Sequence, residues 1–209
     1  MKLSCYLSCL FINLKRNSLP HILAAAALTA SVPLVFCLTS LTEPLAAQPL
    51  EMYLSLTGTL LLTPIFLPEQ NAEIRDMVRM RKMSYLSVCA LRLVYLCIIL
   101  AVLYAVITAA LVIGESRITP EHFWGGISTA LFLGAAGVLG AALGGNTIIG
   151  YMASMLYYVV NFSLKTRLGV FFLFGLSCET GVSKLWLLGS AAAMIAAAFG
   201  CLKYIRRID

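Results

Sequence analysis

The chain has 209 residues, of which 61% are hydrophobic and 11% are charged, and its formal net charge is +6. Soluble proteins carry roughly a quarter charged residues. This composition therefore excludes an ordinary soluble domain and predicts an all-α polytopic membrane protein, a single transmembrane domain over residues 1–209.

Residues 1–16 are predicted to form an amphipathic helix that lies in the membrane interface. Leu3, Leu7, Leu10 and Leu14 fall on one helical face, and Lys15 lies away from it. A helix of this kind rests on the bilayer surface rather than crossing it. A cleavable signal peptide is the alternative, but it needs a longer apolar core and a small-residue cleavage site.

Six stretches are predicted to cross the membrane, because about 20 apolar residues span the hydrocarbon core. Pro33 is expected to kink the first span, and Glu51 and Pro68 bound a short second one. The uncharged run after Trp124 is long enough for two spans, which separate at Gly144-Gly145-Asn146, where consecutive glycines permit a turn. The spans are 22–42, 50–67, 86–113, 123–143, 147–164 and 185–202.

Residues 168–178 form one further apolar stretch between the last two spans. At about eleven residues this stretch is too short to cross. It is predicted to be a short re-entrant or interfacial segment on the external side. The alternative is a seventh span, which would move the C-terminus to the other side.

The basic residues predict that both termini are cytoplasmic. With six spans, 11 of the 15 basic residues fall on the cytoplasmic side, as the positive-inside rule requires. Trp124 and Trp186 fall at the outer starts of their spans, where tryptophan favours the interface. Thr119 and Pro120 have the residue types of a helix N-cap and first position.

No catalytic, metal or cofactor site is predicted in this chain. Apart from Arg92 at one edge, and Glu51 as the boundary of the second span, the predicted spans contain no ionisable residue, which also disfavours a proton-coupled or ion-coupled carrier. The seven cysteines are scattered, His21 and His122 fall at opposite ends, and no Walker A motif is present to bind a nucleotide.

Residues 69–83 are predicted to form a cytoplasmic helix between the second and third spans. Its acidic residues precede its basic ones, which is the favourable order along a helix dipole. The charged residues are Glu69, Glu73, Arg75, Asp76, Arg79, Arg81 and Lys82. From these residues alone, a helix against anionic lipid headgroups is preferred over a docking helix for a cytoplasmic partner.

This layout, above all the stretch PEQNAEIRDMVRMRKMSYLSVCALRLV, resembles the type-2 exporter permease family of the ATP-binding-cassette (ABC) superfamily. The resemblance implies a permease paired with a second copy, as a homodimer or a heterodimer, on two copies of a separately encoded ABC ATPase that binds ATP and magnesium. It also implies that 69–83 is the coupling helix and that its ATPase contacts include Glu73, Arg75, Asp76, Arg79 and Arg81.

One face of the fifth span is a candidate lining of the substrate path. Aromatic, methionine and amide side chains suit an amphipathic substrate, but they serve equally well in packing against a neighbouring helix, which is the preferred interpretation. The residues are Tyr151, Met155, Tyr158, Asn161 and Phe162.

The leading functional hypothesis is the permease subunit of an exporter in a bacterial cytoplasmic membrane. Its expected substrate is an apolar or amphipathic molecule such as a peptide toxin, bacteriocin or antibiotic. Besides the ATPase, the second permease copy and the lipid bilayer, no nucleic-acid partner is expected. The alternatives are a membrane scaffold or immunity protein that recruits a cytoplasmic partner, and a channel or carrier that acts alone.

Overall fold

The computed structural model describes residues 17–70, 85–178 and 184–208. Within these ranges the secondary structure is helical and no strand is present. Five of the described helices are long and apolar enough to cross a membrane. The predicted all-α fold and the multi-pass membrane character are therefore confirmed. The predicted interfacial helix 1–16 and most of the predicted helix 69–83 lie outside the described residues.

Helix α1, Leu19–Val35, is shorter than the predicted span 22–42. Pro33 lies in its last turn, and the backbone is extended at Phe36, with φ −115° and ψ 132°. Because proline removes a backbone donor and disfavours the helical conformation of the preceding residue, the helix ends here instead of kinking and continuing. Its 17 residues give a length of about 26 Å, slightly less than the hydrocarbon thickness.

Helix α2 occupies Glu43–Leu67 and starts seven residues before the predicted second span 50–67. Thr42 is the extended N-cap, and Glu43 and Pro44 form a favourable first turn. The helix widens into a π-helical turn at Pro49–Tyr53 and tightens into a 3-10 helix at Thr63–Gln70. Glu51 consequently lies inside this helix and not at its boundary, so the expectation that the spans hold no ionisable residue apart from Arg92 is wrong.

Helices α3, Tyr85–Ile113, and α4, Pro120–Gly144, follow in antiparallel order. Thr119 is the N-cap of α4, and its hydroxyl lies 2.6 Å from Nδ1 of His122. The turn after α4 falls at the expected glycines, and Gly145 has a left-handed φ of 62°, which glycine adopts at little cost.

Helix α5, Thr147–Leu164, leads into a 3-10 turn at Lys165–Phe171, and helix α6 occupies Leu185–Ile208. The residues between the 3-10 turn and α6 do not form a helix of spanning length among those described. Phe172, Leu173 and Phe174 are buried against α4 and α6. We call residues 172–178 the cap segment. The re-entrant or interfacial character of residues 168–178 stays a prediction.

The helices define two ends of the bundle. The Asn146 end contains the start of α1, the end of α2, the start of α3 and the α4–α5 turn. The Glu51 end contains the loops 36–42 and 114–119 and the cap segment. Two backbone–backbone hydrogen bonds join these loops, from Ser40 N–H to the Gly114 carbonyl at 2.8 Å and from Arg117 N–H to the Leu41 carbonyl at 3.0 Å.

Helix α4 lies at the centre of the bundle, packed against α2, α5 and α6. Most of α2 and α4 is buried, whereas most residues of α3, α5 and α6 are partly or fully exposed. Small residues bring the central helices close together, as is typical of membrane bundles. At Gly58 of α2, a Cβ atom would lie only 2.0 Å from the Ala130 carbonyl oxygen of α4.

This close approach predicts a large effect for Gly58→Ala. The added methyl group collides with the backbone of α4, which cannot rotate away as a side chain does, so we expect the free energy of unfolding in detergent to fall by about 3 kcal/mol. Gly189→Ala on α6 is the matched control, because nothing lies within 4 Å of its added Cβ. Removing a helical glycine there should stabilise the protein by up to about 1 kcal/mol. Equal stability of the two variants would contradict the packing described here.

Candidate functional site: a buried ion pair beneath the cap segment

A buried ion pair connects α2 to the start of α6 at the Glu51 end. Nζ of Lys184 lies 2.6 Å from Oε1 of Glu51, and the Glu51 side chain is fully buried while that of Lys184 is 11% exposed. Glu51 is eight residues into α2, which places it about 12 Å from the helix start. An ionised pair at this depth in a membrane helix is costly and marks a candidate functional site.

The Glu51 carboxylate also holds the backbone of the cap segment. Its Oε1 accepts a hydrogen bond from Leu176 N–H at 3.2 Å, and its Oε2 accepts two from Ser177, one from N–H and one from Oγ–H, both at 2.9 Å. With the Lys184 ammonium, four donors converge on this carboxylate, which has about four lone-pair sites. Its hydrogen-bonding capacity is thus used up, so the site is suited to fastening backbone rather than to acid–base catalysis.

The Lys184 ammonium makes its other contacts with the cap segment and α4. It donates to the Leu173 carbonyl at 2.5 Å and lies 3.5 Å from the Thr129 hydroxyl. The Thr129 hydroxyl itself points toward the same Leu173 carbonyl at 3.1 Å. Burial lowers the pKa of Lys184, and the neighbouring Glu51 carboxylate opposes this change. The Glu51 carboxylate therefore stabilises the charged form of Lys184 against the effect of burial.

Helix α5 supports the cap segment from the other side through Asn161. This fully buried amide accepts a hydrogen bond from Leu173 N–H at 2.9 Å through Oδ1 and donates one to the Tyr157 carbonyl at 3.0 Å through Nδ2. The Tyr157 hydroxyl donates to the Phe171 carbonyl at 2.8 Å. Buried polar groups are expected to be paired in this way. The cap segment is thus fixed by α2, α4, α5 and Lys184 together.

Three of the five predicted path residues meet at this site. Besides Asn161, the rings of Tyr158 and Phe162 pack on Phe174, with centroid distances of 5.6 and 4.7 Å. The Tyr158 hydroxyl also donates to the Met52 carbonyl in the π-helical turn of α2 at 2.6 Å. These contacts fasten α5 to α2 and to the cap segment, so they agree with the preferred packing interpretation.

The other two path residues lie apart from this group. Tyr151 is nearer the Asn146 end, with its hydroxyl 3.5 Å from the Leu60 carbonyl, and Met155 is 43% exposed on the outside of α5. A role of the five residues in a substrate path stays a prediction. The predicted coupling residues Glu73, Arg75, Asp76, Arg79 and Arg81 lie outside the described residues.

An open cleft of about 260 Å³ adjoins the cap segment at the Glu51 end. Gly175 and Leu176 form one wall of this cleft, and the starts of α2 and α4 form the other. The lining residues are Glu43, Pro44, Thr119, Glu121, His122, Gly175 and Leu176. In the described part of the chain, no group of three or more histidine, cysteine, aspartate or glutamate residues is placed to hold a metal ion.

A second buried charge, Arg92 of α3, lies near the Asn146 end. Its Nη1 donates to the Ile65 carbonyl of α2 at 3.0 Å. Beside it is a cavity with room for about one water molecule, lined in part by Ser18 and His21 of α1. Arg92 is seven residues into α3, so the expectation that it lies at the edge of a span stays a prediction.

Sequence reasoning missed the Glu51–Lys184 pair because it placed both residues at the ends of spans. One signal for Glu51 was present. Thr42-Glu43-Pro44 has the residue types of a helix start, and a helix beginning there includes Glu51. No corresponding signal pairs Lys184 with Glu51, because the two residues are 133 positions apart.

Comparisons with known proteins do not assign this site. The chain matches no family model, no curated protein and no solved structure.

Proposed function

We propose that this chain is the membrane-spanning permease subunit of an ATP-driven exporter of the ABC type-2 class. The observation that carries the proposal is the order of elements: two helices, a segment of mixed charge, four further helices, and a short buried cap segment before the last of them. This is the order of elements in the permease family that the sequence resembles.

The position of the charged segment supports a coupling role. The described residues on either side of it, at the end of α2 and the start of α3, both lie at the Asn146 end, so the segment leaves and returns on one side. In our proposal this side is cytoplasmic, as the distribution of basic residues predicts. On this side, the proposed helix 69–83 binds one subunit of an ATPase pair.

The six-span topology is part of this proposal. Helix α1 is a little short for the hydrocarbon core, but its bonds align it beside α2 and α3. Ser18 Oγ lies 2.5 Å from the hydroxyl of Tyr95, and Ser31 Oγ lies 2.8 Å from that of Tyr53. A short helix is accommodated by local thinning of the bilayer at modest cost. The first crossing is thus α1, and both termini are cytoplasmic.

The proposed mechanism takes its energy from the partner. ATP binding closes the two ATPase subunits, and the coupling helices transmit this movement to two permease copies, which change from inward-facing to outward-facing arrangements. The substrate is an apolar or amphipathic molecule, since apolar side chains dominate the described helices. The permease chain itself forms the passage for the substrate and, with the cap segment, closes the outer end of this passage.

Membrane recruitment tests the proposal. The proposal predicts that an adjoining reading frame encodes an ABC ATPase. This ATPase is produced in a bacterial host with and without this chain, and its share in the membrane fraction is measured. We expect the ATPase to be recruited to the membrane by this chain and to remain soluble without it. An ATPase that stays soluble in both cases would contradict the proposal.

Reporter fusions test the topology. A cytoplasm-active fluorescent reporter is expected to be bright after residue 145 and dark after residue 117, whereas a periplasm-active phosphatase should show the opposite pattern. The reason is that the α4–α5 turn and the α3–α4 loop lie at opposite ends of the bundle. Equal activity of one reporter at both positions would contradict the six-span arrangement.

A further inference from the structure

We propose that the Glu51–Lys184 ion pair is a lock that holds the cap segment closed over the Glu51 end, and that separating the two charges releases this segment while the helices stay folded. The use of this lock as the outer gate of an exporter rests on the function proposed above. The lock itself is a property of the described chain.

Most of the polar attachments of the cap segment are made by one charged pair, and Asn161 and Thr129 add one hydrogen bond each at Leu173. Glu51 binds the backbone at Leu176 and Ser177, while Lys184 binds the carbonyl of Leu173. The two side chains therefore hold both halves of the segment and also hold each other. Loss of either charge removes several attachments at once, in contrast to the loss of a single hydrogen bond elsewhere.

Gly169 provides a hinge at the start of this region. Its φ of 55° and ψ of −122° belong to a conformation that residues with a Cβ atom rarely adopt. The 3-10 turn Lys165–Phe171 is interrupted here, so the chain changes direction just before the cap segment. A glycine hinge lets the segment rotate about its start without moving α5.

The surroundings of Leu176 provide space for release. On one side Leu176 rests on α4 at Gly125, where a Cβ atom would lie 2.4 Å from Cδ1 of Leu176. On the other side is the open cleft of about 260 Å³. In the closed position the Leu176 side chain thus packs directly on Gly125. The adjoining cleft has room for this side chain when it moves away from the glycine.

A buried ion pair is a suitable element for such a lock. Pairing only roughly offsets the cost of removing two charges from water, so an apolar pair of similar volume would hold the segment at least as well. An ion pair differs from apolar packing in that it is roughly neutral when complete and strongly unfavourable when one member is removed. This dependence on both partners is a property of a two-state latch.

Cysteine labelling tests the lock in the full-length chain. The seven native cysteines are replaced by alanine, and Leu173, which is fully buried in the cap segment, is changed to cysteine as the reporter. A membrane-impermeant maleimide is then added to the protein in vesicles and in detergent, and the labelling rate is measured. The reporter chain with Glu51 and Lys184 intact is the reference.

We expect Glu51→Gln and Lys184→Met each to raise the labelling rate at Leu173→Cys by at least about tenfold, because each frees the segment by local opening. Lys184→Arg retains the cation and should stay close to the reference. Ala135→Cys is the matched control, since Ala135 is fully buried in the same cluster but belongs to α4. Its labelling should remain slow in all of these backgrounds.

Two results would overturn the lock. One is an unchanged labelling rate at Leu173→Cys when either charge is removed, which would mean that the ion pair does not control the opening of the cap segment. The other is an equal rise at Ala135→Cys, which would mean that the whole bundle loosens. The labelling experiment needs no ATPase. If the ATPase is not recruited, the exporter proposal is rejected and the labelling result still stands. If the labelling rate is unchanged, the lock is rejected and the exporter proposal still stands.

Discussion

Replacing Lys184 by methionine is expected to lower the free energy of unfolding by about 3 kcal/mol, measured by denaturant titration or thermal unfolding in detergent. The reason is that Glu51 stays fully buried but loses its cation, and a buried charge without its partner is strongly destabilising. Methionine retains most of the volume of the lysine stem, so the change isolates the charge from the packing.

Two further variants make this prediction specific. Lys203→Met removes an exposed lysine at the far end of α6 and should change stability by less than about 0.5 kcal/mol. Adding Glu51→Gln to Lys184→Met removes the orphaned charge and should restore part of the loss, which gives the coupling energy of the pair. Additive losses in this double variant would show that the two side chains do not act as a pair.

Exchanging the charges of Glu73 and Arg79, by Glu73→Lys together with Arg79→Glu, is expected to reduce association with the ATPase at least tenfold. Both residues are predicted contacts of the coupling helix, and like charges placed opposite each other in an interface cost several kcal/mol, where about 1.4 kcal/mol is already tenfold. The net charge of the chain is unchanged, so general electrostatic steering is preserved. Association is measured by pull-down from membranes.

Arg117→Glu is the control for this exchange. Arg117 is exposed in the α3–α4 loop at the Glu51 end, which faces away from the ATPase in our proposal. The control should insert and associate normally. If the exchanged variant keeps full association and full ATP hydrolysis, residues 69–83 are not the docking helix, and the lipid-facing interpretation of this segment is favoured.

The sequence was most informative where a local pattern decides the structure. Apolar runs of spanning length predicted helices, and Thr119-Pro120 and Gly145 marked the start and the end of α4 as the structure has them. These features depend only on residues that are neighbours in the chain: Thr119 caps the helix, Pro120 has a fixed φ, and Gly145 tolerates a positive φ. Such features can be read without knowing the tertiary contacts.

The candidate site was hidden because its members meet only in the folded chain. The apolar pattern predicts Glu51 as the boundary of the second span, since a charge normally ends an apolar run. The charge is retained because Lys184 and the amides of the cap segment surround it, and those partners come from 125 to 133 residues further along. Hydrophobicity along the chain does not contain that information.

The path residues show the same limit in another form. Tyr158, Asn161 and Phe162 belong to the five-residue helical face that the sequence predicts, and the structure places these three together beside the cap segment. What a helical face touches is decided by the neighbouring helices. Here the contacts are the Met52 carbonyl of α2 and the Leu173 N–H and Phe174 ring of the cap segment. None of these contacts can be assigned from the sequence of α5.

Co-purification in detergent tests the central claim most directly. The native chain and a version with residues 74–82 replaced by a Gly/Ser linker are each purified after co-expression with the ABC ATPase that the proposal predicts in an adjoining reading frame. We predict that the native chain retains the ATPase in a one-to-one ratio and that the linker version is purified without it. If the native chain is purified without any ATPase, the account of this protein as an exporter permease is wrong.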